Sequence, residues 1–320
     1  MSKVLFVSRR PLGRAENITA VFDAFDGEKE FIQETWRDPD PRIFSKEFSV
    51  IVTDEFVNYS PGTQILIGHG ISGGKSYGLD QPNRYFRRKD ARLIDWAVCT
   101  SVDTIELTAK QSGIPVEKVL PLGMPRTDQY FGKKKGDGGT QLAGKRAYLF
   151  APTFRNPREP AMPHIDWKWL DRQLRDDELL VVKPHMVTKN ILRRQFRHII
   201  EAPSTAPSAP YLIDCDVLIS DYSTIVFDGH VLGKPVVLFE KKAGFADKRG
   251  MYFKYPEEYA SRYVRNEREL LEVIRSAKEP QEADLRCRER ACGACDGHST
   301  ERVVKLIRGV YEDPDYRPDL

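Results

Sequence analysis

Short apolar, β-branched runs recur in both halves of the chain, each separated from the next by a stretch of helical length. In the front half Val4–Val7, Val50–Val52, Ile65–Ile67, Ala97–Thr100 and Val119–Leu122 read as buried strands, while Arg14–Phe25 and Asp103–Ser112 carry helical spacing. The series restarts with Ala147–Ala151, Leu179–Val182, Val217–Ile219 and Val236–Phe239. Strand–helix alternation in both halves predicts an α/β protein of two parallel, doubly wound sheets. A chain of 320 residues fits two such domains. Gly132-Lys-Lys-Lys-Gly-Asp-Gly-Gly139 has little to bury and reads as the linker, giving domains at 1–135 and 145–320. The second carries a helical, charge-rich tail from Asn266 to Tyr311.

Composition narrows the functional classes. Hydrophobic residues at 40% and charged residues at 30% exclude wholesale disorder. Fifty Lys and Arg against 47 Asp and Glu give no global field that would commit the chain to nucleic acid. No apolar run reaches the roughly 18 residues of a membrane span. The opening Met-Ser-Lys-Val-Leu-Phe-Val-Ser reads as a strand, not a signal peptide. Five cysteines point to a reducing cytoplasm.

The polar motifs fall where the predicted strands end, as ligand sites of such sheets do. The block Asp216–Glu240 reads strand, Ser220-Asp-Tyr-Ser-Thr224, helix, Gly233-Lys-Pro235 turn, strand. Ser223 and Thr224 at a helix start suit a phosphate, through hydroxyls, amides and the helix dipole. The plain alternative is that they only cap the helix. Lys183 and His185 follow another strand and could neutralise charge on a leaving phosphate, or be a surface lysine and a loop histidine. Gln64–Gly70 has the same form, a strand running into Gly68-His69-Gly70. Glycines let a substrate approach closely, and an imidazole can take a hydroxyl proton near neutral pH. A structural histidine is the alternative.

Gly70-Ile-Ser-Gly-Gly-Lys75-Ser76 is not a phosphate-binding P-loop, because that pattern requires a glycine where His69 stands. Lys75 remains a candidate contact for an anionic acceptor. Asp214-Cys-Asp216 leads into a strand and reads as a strand entrance, not a metal clamp. Cys287, Cys292, Cys295 and His298 could form a zinc site, but the cysteines fall on one helical stripe and read as buried thiols. No metal and no cofactor is expected. Arg84–Arg92 and Arg193–Arg197 read as solvated faces, with contact to an anionic membrane surface as the alternative.

Taken together, Gly123-Met-Pro-Arg-Thr-Asp128, Ala151-Pro-Thr-Phe-Arg155, Lys183-Pro-His185, Ser220–Asp228 and Asp296–Arg302 resemble, in order, the CDP-glycerol glycerophosphotransferase family. Its members are the primases and polymerases of teichoic-acid and capsule synthesis, and the likeness spans roughly residues 60 to 310. The resemblance implies a GT-B-like architecture, two Rossmann-like domains facing a central cleft. It implies His69 as the base on the acceptor hydroxyl, and His185 beside the donor diphosphate. Ser223 and Thr224 would contact donor phosphate, with Asp228 in the same site. Ala151, Thr153 and Arg155 would lie at the nucleotide end, and the Arg302 helix start near the donor. The family's usual Trp-His-Gly, followed by Thr-Pro-Leu-Lys, stands here as Gly68-His69-Gly70 and Ile-Ser-Gly-Gly-Lys75.

The expected activity is transfer of an alditol phosphate from a CDP-activated donor to a hydroxyl of a glycan, polymer or lipid-linked acceptor, with release of CMP. A GT-B enzyme using a UDP- or CMP-sugar is the competing reading, since fold does not fix function. A non-catalytic nucleotide-binding protein is the third.

Overall fold

The computed structural model describes residues 3–34, 40–54, 62–68, 70, 94–142, 144–153, 164–186, 188, 191–241, 251–313 and 315–318. The chain divides into two compact units, residues 1–131 with 289–320, and residues 132–288.

The first unit is built on β1 (Lys3–Ser8), β2 (Lys29–Gln33), β3 (Phe48–Thr53), β4 (Thr63–Leu66), β5 (Trp96–Val98) and β6 (Val119–Leu120), in the order β2-β1-β3-β4-β5-β6. Every pairing is parallel. In β1 the side chains alternate between two cores. Val4 and Phe6 face a cluster with Ile18, Val21 and Phe25, and Leu5 and Val7 join Ile32, Ile43 and Ile51 on the other side. Both faces are covered, which is why the strand is apolar throughout. Helices α1 (Glu16–Ala24) and α2 (Ile105–Ser112) follow β1 and β5.

The second unit carries β7 (Arg146–Phe150), β8 (Glu178–Val182), β9 (Ile199–Glu201), β10 (Val217–Ser220), β11 (Val236–Phe239) and β12 (Arg262–Val264), ordered β12-β11-β10-β7-β8-β9 and again all parallel. Helices α3 (Trp167–Gln173), α4 (Ala209–Asp214), α5 (Ile225–Val231) and α6 (Glu267–Ser276) belong to it. Tyr148, Phe150, Val182, Ile219 and Phe239 form a core with Leu170, Leu270 and Ile274. The chain runs outward from β7 in both directions, so β7 and β10 flank the point where strand order reverses.

Two sequence expectations are corrected. The tail does not stay with the second unit. Helix α7 (Glu282–Cys292) ends in the first, where Thr100 Oγ1 donates to the Ala291 carbonyl at 2.6 Å. Helix α8 (Ser299–Glu312) then packs Val303, Ile307 and Val310 into the β1–β3–β4 core. An amphipathic helix buries its stripe wherever a sheet face is open, and chain order does not say which sheet that is.

Nor is Gly132–Gly139 an idle linker. The Asp214 carboxylate accepts from the amides of Gly136, Gly138 and Thr140, at 2.8–2.9 Å, and from the Thr140 hydroxyl at 2.7 Å. A Cβ on Gly138 would come within 2.2 Å of the Pro210 carbonyl oxygen, so only glycine fits. Burial raises the Asp214 pKa, but these donors outweigh it and hold the carboxyl below its usual range. Asp216 accepts from the Ala147 amide at 2.7 Å and from Lys135 Nζ at 2.6 Å. Both carboxylates of the Asp-Cys-Asp sequence are therefore engaged by the chain itself.

Candidate active site

In the second unit the loops leaving β7 and β10 meet at the reversal point. Ser220 Oγ donates to the Ala151 carbonyl at 2.6 Å, and Asp221 accepts from the Thr153 amide at 2.9 Å and from its hydroxyl at 2.6 Å. Ala151, Thr153, Ser220 and Asp221 are all buried. Asp221 thus fixes the β7 loop against the β10 loop, a role that no local residue pattern signals. From this floor Ser223 and Thr224 emerge half-buried. Thr224 occupies the N-cap position of α5 with helical dihedrals and makes no capping bond. Neither hydroxyl has a hydrogen-bond partner among the described residues. The capping alternative fails for this pair. The helix behind them has only seven residues, so hydroxyls and local amides rather than a long dipole would meet an anion. Asp228, further along α5, is buried at 2% exposure.

Lys183 is not the surface cation one alternative supposed. It is 5% exposed, and its Nζ donates to the carbonyls of Pro184 at 2.9 Å and Ser204 at 3.1 Å, which ties the loop after β8 to the one after β9. A buried ammonium needs such partners. His185, two residues on, is exposed. The groove beside these loops, about 870 Å³, is lined by Arg193, Arg194, Phe196, Ser204 and Thr205 among others.

In the first unit His69 and Lys75 lie outside the described residues, as do Arg155 of the second unit and the basic cluster at residues 84–92. What surrounds the loop before His69 is defined. Asn17 in the first turn of α1 donates to the Gly68 carbonyl and accepts from the Arg126 amide. The Arg126 guanidinium lies 3.4 Å from the Glu16 carboxylate.

The motifs Gly123–Asp128 and Asp296–Arg302 pack on each other. Asp128 accepts from the Ser299 amide at 3.1 Å and the Thr300 amide at 2.6 Å, capping α8. Gly123 has φ +86°, and a Cβ there would lie 2.3 Å from the Ala294 carbonyl and the Ser299 hydroxyl. Arg302 donates to the Leu122 carbonyl at 3.0 Å and grips Asp296 through both Nη atoms at 2.9 and 2.8 Å. Those bonds are the main cause that pulls the Asp296 carboxyl down to about 2. The Arg302 guanidinium holds this corner of the first unit together.

The cysteines are all buried, and burial pushes the Cys99 thiol to about 11 and the Cys215 thiol to about 12. The His298 side chain is 69% exposed and faces Glu301. Among the described residues no three His, Cys, Asp or Glu side chains gather in a way that could hold a metal ion. Among them, too, no helix is long and apolar enough to cross a membrane.

Residues 46–309 match the family described as CDP-Glycerol:Poly(glycerophosphate) glycerophosphotransferase. The chain is 26% identical over 265 residues to the teichoic acid poly(ribitol-phosphate) polymerase of Bacillus spizizenii, covering 76% of this chain and 42% of that one. It is 25% identical over 282 residues to the teichoic acid glycerol-phosphate primase of Bacillus subtilis, covering 82% and 74%. It therefore spans less than half of the first relative's length. Among solved structures, the wall teichoic acid polymerase TagF superposes with a TM-score of 0.77 at 17% identity, over 98% of this chain and 90% of that one. A TagF variant has also been solved after a soak with CDPG. At that identity the likeness speaks to fold. Two parallel-sheet α/β units of this kind agree with the GT-B class expected from the sequence.

Proposed function

Because this chain belongs to the CDP-glycerol:poly(glycerophosphate) glycerophosphotransferase family, we propose that it transfers an alditol phosphate, glycerol phosphate first among them, from a CDP donor to an acceptor hydroxyl. The single observation that carries the reading is the Ser223/Thr224 hydroxyl pair. It lacks hydrogen-bond partners among the described residues and stands at the β7/β10 reversal point, where open parallel sheets bind ligands.

In the proposed reaction the acceptor oxygen attacks the alcohol-bearing phosphorus of the donor. A new O–P bond forms, the P–O bond to CMP breaks, and the acceptor proton passes to the imidazole of His69. Ser223 and Thr224 hydrogen-bond the diphosphate, and His185 meets the charge that grows on the departing CMP. Thr153 and the Ala151 carbonyl belong to the floor under the nucleotide end, with Arg155 contributing a cation and Asp228 supporting the hydroxyl pair from inside α5. Lys183 acts by holding the loop that presents His185. Lys75 is assigned to the acceptor side.

The acceptor is a hydroxyl-bearing glycan, polymer or lipid-linked chain, and the enzyme works in the cytoplasm. Arg193 and Arg194, both exposed, offer a peripheral contact to anionic lipid. Co-sedimentation with anionic but not neutral vesicles is expected, and should weaken in Arg193→Glu/Arg194→Glu.

The test is a donor panel of CDP-glycerol, CDP-ribitol, UDP-sugars and CMP-sugars with release of CMP and UDP followed. CMP released from a CDP-alditol together with appearance of the alditol phosphate on the acceptor supports the reading. UDP release, or CMP release from a sugar donor alone, would favour the glycosyltransferase reading instead.

A further inference from the structure

Asn17 is buried at 2% exposure in the first turn of α1. Asparagine is a poor helix former and its amide is costly to bury, so its bonds must account for its presence. Both ends are engaged. Nδ2 donates to the Gly68 carbonyl at 3.1 Å, and Oδ1 accepts from the Arg126 amide at 2.9 Å. One side chain at the start of α1 thereby holds the segments that follow β4 and β6. At Gly68 φ is +67°, and a Cβ would meet nothing within 4 Å. Glycine is required there by its dihedral, not by lack of space. The Gly68 carbonyl and the nitrogen of the next residue, His69, share one planar peptide unit. A hydrogen bond on that oxygen therefore restrains rotation of that peptide unit.

We propose that Asn17 is a positioning residue for transfer: it clamps the Gly68–His69 peptide unit, with the Arg126 amide fixing the clamp's other end. The inference rests on the reading of His69 as the base. Only a side chain that donates at one tip and accepts at the other fills both bonds. Aspartate, the isostere, keeps the Arg126 bond but turns an acceptor against the Gly68 oxygen. Alanine leaves both backbone groups without their partner.

The experiment measures kcat, KM for CDP-glycerol and the pH–rate profile for Asn17→Asp, Gly68→Ala, His69→Ala and the double variant Asn17→Asp/His69→Ala. Asn17→Asp is expected to lower kcat about 100-fold with donor KM unchanged, the size of effect that a misplaced catalytic group brings. Gly68→Ala, which disturbs the same peptide unit at an open position, should do the same and carries the test if Asn17→Asp does not fold. The limb of the pH profile that reports the base should move in both. In the His69→Ala background Asn17→Asp should cost nothing more. Full kcat in Asn17→Asp or in Gly68→Ala, or an equal loss with and without His69, would overturn the inference while leaving the base in place. Full transfer by His69→Ala would overturn the base reading, and this inference with it.

Discussion

At the scale of single residues the proposed donor site is a contrast between engaged and unengaged polar groups. Asp221 accepts from Thr153 and Ser220 donates to the Ala151 carbonyl, whereas neither the Ser223 nor the Thr224 hydroxyl has a hydrogen-bond partner among the described residues. Removing an unbonded hydroxyl strands no partner, so Ser223→Ala/Thr224→Ala should leave the melting temperature unchanged. Losing two phosphate donors should lower kcat/KM for CDP-glycerol about 100-fold. Asp221→Ala should instead weaken both, because Thr153 loses its acceptor. Glu178, buried in the second unit, makes a separate prediction. Burial raises its pKa, but bonds from Arg275 at 2.8 and 2.7 Å, the Arg175 amide and the Tyr148 hydroxyl outweigh that and bring it to about 2. A carboxyl lowered on folding contributes fully above about pH 4.5 and loses that contribution as pH falls toward 2. Glu178→Gln should cost about 3 kcal/mol in urea unfolding at pH 7. The gap to the parent protein should narrow at pH 3. A gap independent of pH would rule out the ionised pair as its source.

At the scale of elements, every strand that the sequence hid lies at a sheet edge, while one edge strand, the fully buried β6, was legible. β1, β3, β4, β7, β8, β10 and β11 are buried interior strands, and each announces itself as an apolar run. β2, β9 and β12 are edge strands. Lys29–Gln33 buries only Ile32, and the other two have three residues each, too short and too polar to stand out. The candidate site residues could be picked out wherever a strand ended in a polar motif, since the strand itself marks the place. Asn17 was not legible, because its partners Gly68 and Arg126 lie 51 and 109 residues away and nothing local signals them. The capping role of Asp128 is hidden in the same way. It caps α8 from 171 residues away, so Asp128→Ala should cost about 1–2 kcal/mol and Asp128→Asn less, measured by urea unfolding.

At the scale of the whole molecule, the chain closes its first unit with its last helix. Ile307 is fully buried in the same cluster as Phe6 and Val52. Ile307→Ala should cost about 2–5 kcal/mol and loosen the first sheet before the second. Hydrogen exchange would show this as lost protection in β1 and β3 with β7, β8 and β10 unaffected, and the opposite pattern would contradict the unit assignment. The two-sheet organisation was readable from strand–helix alternation. Ownership of the tail was not, because both sheets present apolar faces to which an amphipathic helix could bind.

A structure of the protein soaked with CDP-glycerol decides where the donor binds. The diphosphate is expected within hydrogen-bond distance of Ser223 and Thr224, with the nucleotide over the Ala151–Thr153 segment. A diphosphate bound instead at the strand ends of the first sheet, with that hydroxyl pair untouched, would contradict the proposed donor site.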